Sequence, residues 1–192
     1  MAKRPRGSVC QRVPPRIVTD FKGFLSDFIQ SELSESLKKF DVGFLKYIEQ
    51  SKNHRRTGNS VVNTNITPFI PDGLELVNHS KMGDISWDPL KFSLYVSEKQ
   101  RGWHIKGDEL RKELGSRTVA NACILDHLLM NLHLIPEEWK GFVICFWATI
   151  YRSEGNLCVR NLYWNNGRWG QDYEQIDTDW GADELALVLN DI

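Results

Sequence analysis

Histidine, cysteine and carboxylate are the side chains that most often do chemistry, and their spacing here assembles no familiar catalytic or metal site. The five histidines are His54, His79, His104, His127 and His133. No HExxH occurs, and no other close His/Asp/Glu spacing predicts metal ligands. Cys10, Cys123, Cys145 and Cys158 form no CxxC pair, and no histidine stands at zinc-finger distance from them. They read as reduced, mostly buried thiols of a cytoplasmic protein. Asp126 and His127 are adjacent on a helix and point in different directions. Glu137 and Glu138 follow Pro136, where first-turn acids complement a helix dipole. GxxxxGK[ST], GxGxxG and GxSxG are all absent. His104, in RGWHIKGDEL, is the one histidine beside a glycine-flanked loop. A small hydrolase or transferase centred on His104, with a neighbouring carboxylate or thiol, is therefore one reading. The residues call for no cofactor and no metal.

A stronger pattern lies in the aromatics. All seven tryptophans fall between Trp87 and Trp180. The run from Phe142 to Asp177 predicts a three-stranded antiparallel meander. Asn166-Gly167 is a type I′ hairpin signal, because both central residues need positive φ; it pairs Trp164 with Trp169 and Asn165 with Arg168. Glu154-Gly155 closes the earlier hairpin and pairs Tyr151 with Cys158. Counting back, Thr149 meets Arg160, Trp147 meets Leu162 and Cys145 meets Trp164. One face then carries Ile144, Phe146, Ala148, Ile150, Leu157, Val159 and Tyr163, and is assigned to the core. The other carries Trp147, Thr149, Tyr151, Arg160, Trp164, Trp169, Gln171 and Tyr173. Trp147, Tyr151, Arg160, Trp164, Trp169 and Tyr173 are the candidate binding residues, because Trp, Tyr and Arg are enriched in binding hot spots and also stack on bases. The bland alternatives are cross-strand packing, an internal contact of Arg160 over Tyr173 or Trp147, and cover by the N-terminal helices.

The surrounding elements predict an α+β fold: an antiparallel meander with helices packed on one face, preceded by an N-terminal helical hairpin. Residues 1–16 read as a basic disordered arm, with Lys3, Arg4, Arg6, Arg12 and Arg16 and three prolines. Residues 17–50 predict the hairpin, with Val18, Phe21, Phe24, Leu25, Phe28 and Ile29 on one helix and Leu37, Phe40, Phe44, Leu45 and Ile48 on the next. That face needs cover from the C-terminal domain, another copy or a partner. Residues 51–86 read as an irregular linker, with Val61-Val62 and Leu74 to Val77 as short strands. Residues 87–192 form the α+β domain. In it, Phe92, Leu94 and Val96 alternate as a strand, and DELRKEL and VANACILDHLLMN are helices, the second capped by Thr118. PEEWK is a single turn, and Ala182 to Leu189 is a last short helix.

Composition excludes little. Hydrophobic residues make up 41% and charged residues 26%, and the net charge of -1 gives no overall field toward nucleic acid or membrane. No apolar run reaches the roughly 18 residues of a membrane span, and no apolar core follows the basic N-terminus as in a signal peptide. The charges are uneven: the basic arm contrasts with Asp172, Glu174, Asp177, Asp179, Asp183, Glu184 and Asp191 at the other end. The leading expectation is a non-enzymatic interaction module with a protein partner, or self-association, through the aromatic face. The alternative is nucleic-acid binding, with the arm on phosphate.

Three segments, LYVSEKQRGWHIKGDELRKEL, ILDHLLMNLHLIPEEWKG and FWATIYRSEGNLCVRNLYWNNGRW, resemble a family of small uncharacterised bacterial proteins. The likeness covers about residues 87–180, with HLIPEEWKG and LYWNNGRW its distinctive parts. Leu132 stands where the family has proline. The resemblance implies one folded module over that span and assigns no catalytic residue.

Overall fold

The computed structural model describes residues 61–190; the basic arm, the helical hairpin and the start of the expected linker lie outside them. The described chain is a mixed α and β structure with three α-helices and a curled, mostly antiparallel sheet. It begins with β1 (Val61–Asn63), β2 (Glu75–His79), β3 (Asp84–Ser86) and β4 (Phe92–Tyr95). Then come α1 (Glu98–Gly102), β5 (Ile105–Lys106), α2 (Gly107–Leu114) and α3 (Ala122–Met130). The second half holds β6 (Val143–Cys145), β7 (Thr149–Ser153), β8 (Asn156–Asn165), β9 (Arg168–Gln175), β10 (Asp179–Trp180) and β11 (Glu184–Leu189). The main sheet runs β2-β7-β8-β6-β11-β4, with β9 along β8. β1 pairs with β3, and β5 with β10.

The two hairpin turns set the register. Asn166 and Gly167 have φ of 49° and 78°, and Trp164 faces Trp169. Glu154 and Gly155 have φ of 48° and 91°, and Tyr151 faces Cys158. Both pairings agree with the sequence reading. The first strand of the meander does not. It breaks at Phe146-Trp147-Ala148 into β6 and β7, and Cys145 faces Asn161 where an unbroken ladder would place it against Trp164. The offset is three residues, an odd number, so every side chain before the break changes face. Ile144 and Phe146 therefore pack with Leu162, while Cys145 and Trp147 pack with Val159. The break also splits the sheet: β7 carries β2, and β6 carries β11 and β4.

Helices cover both faces, not one. On one side α3 lays Cys123, Ile124, Leu125 and Leu128 against Ile144, Phe146, Leu162 and Leu187. On the other side α2 lays Leu110 and Leu114 against Cys145, Ile150, Val159 and Val188. β11 needs both covers. Leu185-Ala186-Leu187-Val188 is buried throughout, antiparallel to β4 and parallel to β6. The short helix expected over Ala182 to Leu189 is thus a central strand, because a short apolar run reads equally well as a strand buried on two sides.

Two other boundaries differ. Asn121, not Thr118, caps α3: its Oδ1 accepts from the Cys123 N–H at 3.2 Å. Residues 118–120 stay extended because β11 claims them; Val119 bridges Val188, and the Ala120 N–H donates to Leu187. Residues 61–86 are not a linker. β1 and β2 form close to where the short strands were expected, and β2 joins the main sheet on β7. Val62 and Trp87 sit in the core with α3. This stretch is irregular because much of its backbone is held by side chains, some from its own Asn63, Thr64 and Asn65 and others from Asn121, Asp126, Tyr151 and Arg160.

Candidate functional site

The expected aromatic face divides at Arg160. Its inner half is enclosed. Arg160, on β8, and Asp126, on α3, form an ion pair of 2.8 Å with both side chains buried. Arg160 also donates to the Phe69 carbonyl at 3.0 Å, to the Tyr151 hydroxyl at 3.4 Å and to the Gln171 side-chain oxygen. The Asp126 carboxylate accepts from the Phe69 N–H at 2.7 Å, and the Tyr151 hydroxyl donates to the Phe69 carbonyl at 3.0 Å. The guanidinium lies 5.2 Å from the Phe69 ring centre and 5.9 Å from that of Tyr151. Burial works against the charge of Arg160, but the Asp126 carboxylate and the Tyr151 hydroxyl outweigh it and hold its pKa raised. Burial pushes the Tyr151 phenol up as well. Removing one partner from such a pair leaves a buried charge uncompensated, which costs about 3–5 kcal/mol.

Trp147 is buried on the opposite face, with its ring centre 4.6 Å from that of Trp180. Trp147, Tyr151 and Arg160, expected at a surface, are therefore structural here. The register flip explains Trp147. The cover supplied by α3 and the loop around Phe69 explains the other two. The internal contact expected for Arg160 exists, but with Phe69 and Tyr151 in place of Tyr173 or Trp147. Gln171 is buried with it.

The outer half remains accessible. Trp164 and Trp169 are half-buried, with ring centres 5.3 Å apart in an edge-to-face pair. The Lys140 ammonium sits 4.0 Å above the Trp164 ring and also pairs with Glu137. Extending the β6–β8 register by two residues puts Phe142, an exposed aromatic, opposite Trp164. Phe142, Trp164 and Trp169 then form a row across three strands at one end of the sheet. Behind it, the Tyr163 ring lies over Gly170 on the other face, where an added Cβ would approach it at 3.0 Å. Tyr173 closes the inner boundary of the face: half-buried, it packs against Ala122, Tyr151 and Cys158. Sequence reasoning missed Phe142 and Lys140, because their membership depends on the broken strand.

No family model, curated protein or solved structure matches this chain. The site must be judged on its own groups.

The polar cluster on the β2 side places His79 Nε2 3.8 Å from Cys123 Sγ, with Asn121 Nδ2 at 3.5 Å. These are the residue types of a thiol acyl-transfer site, but the hydrogen bonds set the wrong proton positions. Nε2 lies 2.9 Å from the Thr64 carbonyl, which only accepts, so Nε2 carries the proton. Nδ1 then accepts from the Thr149 hydroxyl at 2.8 Å. In this tautomer His79 cannot take a proton from Cys123, and burial pushes that thiol up to about 12.

His104 is also poorly placed for catalysis. It lies on an open surface beside the exposed Trp103, with Nε2 3.7 Å from Asp179. Lys106 holds Asp179 at 2.8 Å and, through that hydrogen bond, keeps its carboxyl below the ordinary range. Asp179 is thus the ion-pair partner of Lys106. Cys123, Cys145 and Cys158 are free and buried. Among the described residues, no group of three or more His, Cys, Asp or Glu is placed to hold a metal ion. Nor is any described helix long and apolar enough to cross a membrane.

Proposed function

We propose that this protein is a non-enzymatic interaction module that binds a protein partner through the row Phe142, Trp164 and Trp169, edged by Lys140. The supporting observation is the Trp164–Trp169 pair, left half-open on a hairpin whose register is fixed along its whole length. Large aromatics on a rigid strand pair lose little side-chain entropy on binding, which is why such residues dominate hot spots. An adjacent ammonium gives the row a polar edge.

Nucleic-acid binding is the reading to be separated from this one. Of the basic groups near the face, Lys140 pairs with Glu137 and Arg152 with Glu75, while Arg168 stands exposed at the turn beside Trp169. Phosphate contacts beyond Arg168 would have to come from Lys3, Arg4, Arg6, Arg12 and Arg16, outside the described residues.

The test is a nuclease-treated pull-down at low and high salt with the wild type and a Trp164→Ala/Trp169→Ala chain. The expected result is a salt-resistant protein partner that the double variant loses while still unfolding in one cooperative transition, only a few degrees below the wild type. Retention of every partner by the double variant would overturn the reading. Loss of all wild-type partners on nuclease or salt treatment would favour nucleic acid instead.

A further inference from the structure

On the other side of the Arg160 boundary, residues 64–71 are held in an unusual way. Among the described residues, no backbone group of residues 65–70 joins a backbone–backbone hydrogen bond. Pro68 and Pro71 have no N–H to offer. The segment is secured by side chains acting on its backbone. The Thr64 carbonyl accepts from His79 Nε2 at 2.9 Å and from Asn121 Nδ2 at 3.0 Å. The Ile66 carbonyl accepts from Cys123 Sγ at 3.3 Å. Asp126 takes the Phe69 N–H, and Tyr151 and Arg160 take its carbonyl. Pro68, Phe69 and Pro71 point inward, while Asn65, Ile66, Thr67 and Ile70 are exposed.

Proteins bind extended peptides this way, with side chains satisfying the ligand's backbone and a pocket taking one anchoring ring. We infer that His79, Asn121, Cys123, Asp126, Tyr151 and Arg160 form a groove for an extended proline-aromatic peptide, which the chain's own Thr64–Pro71 strap fills until a partner's segment replaces it. When the strap lifts, water reaches the groove, so its polar groups exchange protein partners for solvent without being left buried and unpaired. Such local opening differs from global unfolding in uncovering only the strap's inward side chains and their pocket, with the rest of the apolar core left closed. Cys123 lies beneath the strap, whereas Cys145 belongs to the core on the opposite face of the sheet. The two thiols therefore report separately on the strap and on the whole fold.

Two measurements on the full chain, in a Cys10→Ser background, decide the matter. In the first, thiol alkylation is followed across low urea concentrations. Cys123 is expected to react at least tenfold faster than Cys145, with a rate nearly independent of urea. Equal rates with the same urea dependence would overturn the inference, because the strap would then not open on its own. In the second, a labelled peptide copying residues 63–73 is titrated into the wild type and into Phe69→Ala. The variant, having lost the anchoring ring of its strap, is expected to bind the peptide at least tenfold more tightly than the wild type. A peptide lacking the phenylalanine should bind neither. No binding to a folded Phe69→Ala chain would overturn the groove. If that variant does not fold, a peptide that fails to slow Cys123 alkylation in the wild type would overturn it equally.

Discussion

The two halves of one sheet face carry the same kinds of side chain and end in opposite states. Around Arg160, the tyrosine, arginine and glutamine are closed over by α3 and the Phe69 loop, and every large group has become part of the core. Toward the Asn166-Gly167 turn, Trp164, Trp169 and Phe142 stay half-open or exposed. Alternation of aromatic and polar residues therefore assigns a face, but not its exposure. Exposure is decided by what packs on that face from distant parts of the chain. With the Phe69 loop in place, the inner half is closed and holds the fold; the outer half is open as it stands.

That division predicts unequal responses. The largest effect is expected at the inner half: Arg160→Ala should lower stability by about 3–5 kcal/mol, since it removes the counter-ion of the buried Asp126 carboxylate. Urea unfolding checks this. Gly107→Ala should cost about 1–3 kcal/mol through overpacking, because an added Cβ would lie 2.1 Å from the Ile176 carbonyl oxygen and 2.4 Å from Trp180 Nε1. Restoration of stability by a remote cavity mutation would argue against that local clash. Trp164→Ala should cost only about 0.2–1 kcal/mol, the range of a cross-strand pair, while abolishing partner capture. An equal loss at Trp164 and Arg160 would erase the distinction between the halves.

The smallest effect is a pH dependence. Burial raises the Cys123 thiol to about 12 and the Cys158 thiol to about 11, above their ordinary value. The native state then holds these protons more tightly than the unfolded chain. The stability they contribute is complete below the ordinary thiol pKa and is lost as pH rises from there toward about 12. Cys123→Ala should flatten that alkaline decline, as measured by unfolding midpoints across the range.

Much of the fold was legible, and the failures share a cause. The two hairpin turns could be placed because positive-φ residues announce them locally. The α2 helix and the Phe92 strand showed clear periodicity. The break at Phe146-Trp147-Ala148 had no local mark: no glycine or proline interrupts FVICFWATIY. Its consequence, the exchange of faces by Cys145 and Trp147, could not be read from spacing. The tail strand reads from sequence as a short helix because its four central residues, Leu185 to Val188, are all apolar. Arg160 reads from sequence as a candidate binding residue, because its partners Asp126 and Phe69 lie 34 and 91 positions away, beyond any periodic signal.

The most direct test of the account compares urea unfolding of Arg160→Ala and Trp164→Ala with the wild type. The account predicts a loss of at least about 3 kcal/mol for the first and under about 1 kcal/mol for the second. A small loss at Arg160, or a large one at Trp164, would contradict the division of this face into a structural half and an open one.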